Sequence, residues 1–257
     1  DYHSAQLSVR KRFSKDLSFD FNYTFSHSLD IASANESSGS ITGVSILNPL
    51  DLKTNRGNSG FDVRHLINAN YIWTLPIGNG KKFFGGIGRV ADLLIGGWDL
   101  TGIFRFNSGF PSPVPFDDGR WATNWNVQSN ALLVRPLETS PTRTGDPNLF
   151  SDPTYAYQSY RNAYPGEVGD RNTLRYPGFI GLDAGLYKSF KLPGEGRRLT
   201  FRWEVFNVTN TQHFTGISTI SIPQDPNLGL TPPATWGKFT GIQGSPRQQQ
   251  FALRLEF

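Results

Sequence analysis

Apolar and polar residues alternate with a period of two along seven stretches of the chain. From Leu17 to Ser26, Leu17, Phe19, Phe21, Tyr23 and Phe25 share one face, and Ser18, Asp20, Asn22, Thr24 and Ser26 share the other. A helix would spread these rings around its circumference, whereas a strand separates them. Ala5 to Phe13 sets Leu7 and Val9 against Ser8 and Arg10, and His65 to Leu75 sets Ile67, Ala69, Tyr71 and Trp73 against Asn68 and Asn70. Trp98 to Phe106 opposes Leu100 and Phe104 to Asp99, Thr101 and Arg105. Ile180 to Phe190 opposes Leu182, Leu186 and Phe190 to Asp183, Tyr187 and Ser189. Leu199 to Asn207 opposes Phe201, Trp203 and Val205 to Thr200, Arg202 and Glu204. Gln249 to Phe257 opposes Phe251, Leu253, Leu255 and Phe257 to Gln250, Arg254 and Glu256. The pattern therefore predicts seven antiparallel strands and an all-β fold.

The connections differ by end. Ser14-Lys15-Asp16 and Lys191 to Arg198, with its Pro193-Gly194, are short turns. Pro76 to Gly97 is moderate, with room for one helical turn at Val90 to Ile95. The other three, about 26–64, 107–179 and 208–247, are long and rich in Asn, Ser, Gly and Pro, and are expected to be structureless loops. One plain end and one elaborated end is the form of an outer-membrane β-barrel, whose periplasmic turns are short and extracellular loops long. Its strands need about 9–11 residues. If the last strand runs toward the periplasm, the short turns all fall on the periplasmic side. Phe13, Trp73, Trp98, Phe190, Phe201 and Phe257 then lie near that interface, where barrels concentrate aromatics. The polar face, with Asp20, Asn22, Asn68, Asn70, Arg105, Asp183 and Arg202, would line the lumen and meet plug or substrate. Lys11 and Lys188 interrupt the apolar face and are expected to snorkel to headgroups. A soluble sandwich would alternate equally well, but accounts poorly for the loop asymmetry and the ring-dominated apolar face.

Composition sharpens this picture. Only 37% of the 257 residues are hydrophobic while 14% are aromatic, so much of the apolar surface is carried by rings. There is no Cys, which removes disulfides, thiolate chemistry and Cys-ligated metals. No run of about 18 apolar residues predicts a transmembrane helix. The net charge of +4 is too mild to indicate nucleic acid. Seven strands, no Met and no signal peptide suggest the C-terminal part of a larger barrel, because single-chain bacterial barrels have even strand numbers. Residues 1–257 are thus expected to be one barrel portion, with signal peptide, plug and N-terminal domains upstream.

Several segments resemble the barrel of TonB-dependent outer-membrane receptors, most closely the Oar-like group with a carboxypeptidase-regulatory-like domain. They are Phe61-Asp62-Val63-Arg64-His65, Gly96-Gly97-Trp98 with Ser108-Gly109-Phe110-Pro111, Leu182-Asp183 with Lys188-Ser189-Phe190, and Phe206-Asn207-Val208-Thr209-Asn210. The terminal Phe251, Leu253, Leu255 and Phe257 resemble the signal by which the barrel-assembly machinery recognises such proteins; an open terminal strand can be bound by strand addition. The resemblance implies a bacterial outer-membrane location, contact with outer-membrane lipid and a plug, TonB coupling through the N-terminus, and uptake of a scarce oligosaccharide, siderophore or peptide. Adhesion without transport is the alternative.

Catalytic chemistry finds little support. His3, His27, His65 and His213 lack metal-binding spacing, and there is no nucleophile elbow or phosphate loop. Asp117-Asp118-Gly119, Asp146-Pro147-Asn148 and Asp225-Pro226-Asn227 are partial calcium loops and equally good turns. No enzyme, metal, cofactor or nucleic-acid partner is expected. In the longest loop, Trp121, Trp125, Tyr155, Tyr157 and Tyr160, with Arg120 and Arg161, are candidates to contact an extracellular ligand. The alternative, which the residues favour, is that these rings pack the loop against itself or its neighbours.

Overall fold

The computed structural model describes residues 1–14, 16–33, 48, 50–112, 116–117, 130–218, 221–222 and 231–257, with only the backbone of Phe13, Phe116, Asp117, Ser221 and Ile222. All seven alternating stretches are strands. They are β1 (Tyr2–Ser14), β2 (Leu17–Asp30), β3 (His65–Thr74), β4 (Trp98–Asn107), β5 (Phe179–Lys191), β6 (Arg198–Phe206) and β7 (Gln248–Glu256). They pair in chain order, each antiparallel to the next, with β1 and β7 at the two edges of an open sheet. β2 runs past the alternation because its end has partners of its own: Leu29 and Asp30 pair with Asn58 and Gly57.

The register carries the alternation across the sheet. Arg10 faces Asp20, Asp20 faces Asn70, Asn68 faces Arg105, and Ile103 faces Asp183. Tyr187 faces Arg202, and Glu204 faces Gln250. Partners in register share a face, so one mainly polar face, interrupted by Leu66, Ile72, Ile103 and Phe206, spans all seven strands. The opposite face is apolar, running from Val9 and Phe21 through Ala69, Phe104 and Leu182 to Phe201 and Leu253. Gly102 leaves the space that the Tyr71 ring fills: a Cβ there would lie 2.5 Å from the ring. Near the short-turn end Trp98 meets Phe201 edge-on at 5.9 Å, and Trp203 stacks on Phe251 at 5.9 Å.

No buried apolar side chain among the described residues belongs to these strands. The hydrophobic core lies in the long connections. Leu149, Phe150, Ala156, Tyr157, Tyr160, Leu174 and Trp236 form it with Ala131. A sheet with an uncovered apolar face is unstable in water and suited to lipid. The long connections are therefore not structureless, contrary to expectation. Among the described residues, burial of apolar side chains orders the second and third, while the first buries the polar Asn55, Ser59 and Asp62. The connections include a short helix, Pro153–Gln158, whose start is capped by the Asp152 carboxylate accepting from the Tyr155 amide. Another strand pair joins His213–Ile217 to Phe239–Gln243.

At the plain end, Asp16 takes φ 67°, and Gly194 and Gly196 take 107° and 76°. The expected helical turn is present as helix α1 (Arg89–Ile95). Lys188 does not snorkel. It is 5% exposed and donates to the carbonyls of Asp92, at 3.1 Å, and Gly96 at the end of α1. The carbonyls at a helix C-terminus, that of Asp92 accepting the Gly96 amide as well as Lys188, attract a cation more directly than a distant headgroup.

Candidate functional site

The three long connections close into one cap over the end of the sheet. Two arginines join the first connection to the second. Arg171 pairs with the Asp30 carboxylate and donates to the carbonyl of Asn55 at 3.0 Å and to Ser33 Oγ at 3.1 Å. Arg175 pairs with Asp62 and donates to the Asp62 carbonyl at 2.8 Å. Between them, the Asn58 and Asn172 side chains donate reciprocally to each other's carbonyls at 2.9 and 2.7 Å.

Asp62 is the hub. Its carboxylate, 1% exposed, also accepts from the Ser28 amide at 2.6 Å and lies 3.3 Å from His27 Nδ1 and 3.4 Å from Arg64 Nε. Burial alone would raise its pKa, but the Ser28 amide, Arg175 and His27 together hold it below the ordinary carboxylate value. The Phe61-Asp62-Val63-Arg64-His65 motif is thus the anchor of the cap. Ser108 extends it, its Oγ accepting from the amides of Arg64 and His65 at 3.1 Å.

The second and third connections meet at Trp236, which is 2% exposed. Its ring stacks on Phe150 at 5.1 Å and meets Tyr157 edge-on at 5.5 Å. Asn148 Nδ2 donates to the Trp236 carbonyl at 2.8 Å, and Lys238 pairs with Asp146 at 2.6 Å. Beside this junction opens a cleft of about 480 Å³, lined by Thr142, Thr144, Thr154, Thr231, Pro233 and Lys238 among others. That is the size of a small-molecule site.

Of the ligand-facing candidates, Arg120, Trp121 and Trp125 lie outside the described residues. Tyr157 and Tyr160 are core residues of the cap, and burial pushes the Tyr160 phenol pKa up. Tyr155 is exposed and donates its hydroxyl to the Pro136 carbonyl at 3.2 Å. Arg161 forms a two-point ion pair with Glu167, at 2.7 and 3.0 Å, and covers the Tyr164 ring at 4.2 Å. That pair raises the guanidinium pKa and lowers the carboxylate pKa.

The seven polar-face candidates do share one face. Arg10 Nε pairs with Asp20 at 2.5 Å, and Asn22 donates to Asp20. Arg105 pairs with Asp183 at 2.9 Å. Arg202 and the Tyr187 hydroxyl both donate to Glu204 at 2.7 Å, and Gln250 donates to it as well. Asn68 and Asn70 are exposed between these clusters. At the edge of the apolar face, Phe251, Leu253, Leu255 and Phe257 are 66%, 70%, 56% and 97% exposed.

Asp146 and Asn148 are engaged within the cap by Lys238 and Trp236; Asp118 and Asp225 to Asn227 lie outside the described residues. Phe206-Asn207-Val208-Thr209-Asn210 closes β6 with two left-handed residues, Asn207 at φ 52° and Asn210 at 51°. Asn207 Oδ1 accepts the Thr211 amide and Asn210 Oδ1 the Arg247 amide, both at 3.0 Å, tying the end of β6 to the start of β7. Asn tolerates this backbone region better than most residues.

Reading by sequence missed Trp236, Phe150, Arg171 and Arg175 as organisers of the cap. Asp62 was visible in its motif, but no local pattern marks a partner so far along the chain.

No curated protein and no solved structure is significantly similar to the chain. The family model described as an outer membrane beta barrel domain matches residues 1–250. A two-faced meander with short turns at one end, and a match spanning nearly its whole length, place the chain in the outer membrane beta barrel domain family and the protein in the bacterial outer membrane.

Proposed function

We propose that this barrel belongs to a TonB-coupled receptor that captures a scarce ligand at the cap and admits it along the polar face. The observation that carries the reading is the cap: the second and third long connections share a core with a cleft beside it, and the two arginines tie the first connection to them. Four threonines line the cleft beside Trp236 and three prolines, and its Lys238 is paired with Asp146. A charge-balanced wall that mixes threonines with aromatic and proline surface favours a neutral ligand with polar and apolar faces, such as an oligosaccharide, over a charged siderophore or peptide. The plug that would gate the lumen, and the TonB contact, would come from upstream of this chain.

Adhesion is the second reading. It is favoured by the arginine staples, which give the cap a fixed surface able to bind a partner without movement. The test is growth on limiting oligosaccharides, ferric siderophores and peptides, in cells with and without the full-length protein and with and without TonB. Transport predicts one nutrient whose use is lost in both deletions. Loss of surface attachment with unchanged growth on every nutrient would select adhesion.

A further inference from the structure

The moderate connection at the plain end leaves more apolar side chain uncovered than its size explains. Val90, Leu94, Phe84, Leu93, Phe83 and Ile95 are 76%, 70%, 63%, 57%, 51% and 42% exposed. The segment is well held. The Phe83 amide donates to the Pro76 carbonyl at 2.9 Å, the Gly78 amide to the Phe83 carbonyl at 3.0 Å, and the Asn79 amide to the Asp92 carboxylate at 2.6 Å. Phe84 takes φ 60°. A bulky residue in this left-handed region is uncommon and costly, yet here it carries a ring that packs on little.

Where α1 hangs is fixed by two residues of the apolar face. Trp98 and Lys188 pair across β4 and β5. Trp98 Nε1 donates to the Leu94 carbonyl at 2.9 Å, and Lys188 donates to the carbonyls of Asp92 and Gly96. The helix is therefore attached to the lipid-facing side of the barrel wall. Lys82 and Arg89 are exposed beside the apolar side chains, and Lys82 sits 5.5 Å over the Phe83 ring. The one acid of the helix, Asp92, is occupied by the Asn79 amide.

We propose that residues 83–95 form an in-plane anchor seated at the boundary of headgroups and acyl chains in the phospholipid leaflet at the short-turn end. Two observations select lipid as the occupant. The exposed apolar surface continues the lipid-facing surface of the wall through Trp98 and Lys188. The flanking side chains are cationic, as interfacial helices on anionic leaflets are. The inference rests on the barrel family and is independent of whether the protein transports anything.

The test uses the full-length protein in vesicles of phosphatidylethanolamine and phosphatidylglycerol. Val90→Cys and, in a second variant, Leu94→Cys carry an environment-sensitive fluorophore, with Thr144→Cys in the cap as control. The expected result is quenching at both anchor positions by lipids spin-labelled near the headgroup, little quenching by aqueous iodide, and the reverse at Thr144. Iodide quenching at Val90 and Leu94 equal to that at Thr144 would overturn the proposal. So would protection from both quenchers, which would mean that protein covers the segment. Replacing Lys82 and Arg89 by Gln should weaken lipid quenching more in anionic than in purely zwitterionic vesicles; equal effects would overturn the charge part.

Discussion

The Asp62 carboxylate and the Arg175 guanidinium meet across 113 residues of chain and join the first long connection to the second. Asp62 is 1% exposed, so its charge is stabilised only by the groups around it. Removing one partner of a fully buried pair costs about 3–5 kcal/mol, and less here because Arg64, His27 and the Ser28 amide still face the carboxylate. Arg175→Ala should therefore open the cap, seen as rapid proteolysis within 108–178, while the strands stay protected. Equal cleavage of variant and parent would refute this role.

The same carboxyl gives a pH dependence. Its pKa is lower in the folded protein than in the unfolded chain. Its contribution is complete above the unfolded value of about 3.9 and is lost as pH falls through the folded value. Cap protection should drop in that acid range in the parent. In Asp62→Asn the drop should be smaller, from a lower starting level, with the remainder coming from Glu167, whose carboxyl Arg161 also holds low.

Trp236 is the junction of the second and third connections. Trp236→Ala removes the stack on Phe150 and the edge contact with Tyr157, and such truncations cost roughly 3–5 kcal/mol. Because no strand of the sheet packs on this core, the loss should be local. Calorimetry should show a lowered cap transition with the barrel transition unchanged. A lowered barrel transition would mean that the two fold as one unit.

Gly109 takes φ 87°, and a Cβ there would collide with the Tyr176 carbonyl oxygen. Gly109→Ala should destabilise the cap by about 1–3 kcal/mol and raise hydrogen exchange at the Tyr176 amide, which bonds to the Phe110 carbonyl at 2.9 Å. Unchanged exchange there would show that the backbone relaxes freely.

Phe257 separates recognition from stability. At 97% exposed it packs on almost nothing, so Phe257→Ala should refold in detergent as the parent does. If the terminal residues are read by the assembly machinery, the same variant should accumulate poorly in the outer membrane of cells. Normal accumulation would remove Phe257 from that signal.

The motifs of the resemblance turn out to be structural devices. Asp62 anchors the cap, Gly109 admits a close backbone approach, and Asn207 and Asn210 close β6. None of them reports a ligand, which is why the sequence names a barrel more readily than a substrate.

Period-two alternation was enough to locate all seven strands, their two faces and the plain end, because a strand in a wall between lipid and lumen has its two sides dictated by two different environments. Leu17 to Ser26 could be read residue by residue for that reason. The cap was not legible this way. Leu149, Tyr157 and Trp236 are buried by segments far apart in the chain, with no period linking them. Lys188 reads as a charge bound for headgroups until the fold sets the C-terminal carbonyls of α1 beside it. Local pattern determines which side of a strand faces which solvent; only the tertiary fold decides which distant loops share a core and which charge a helix end captures.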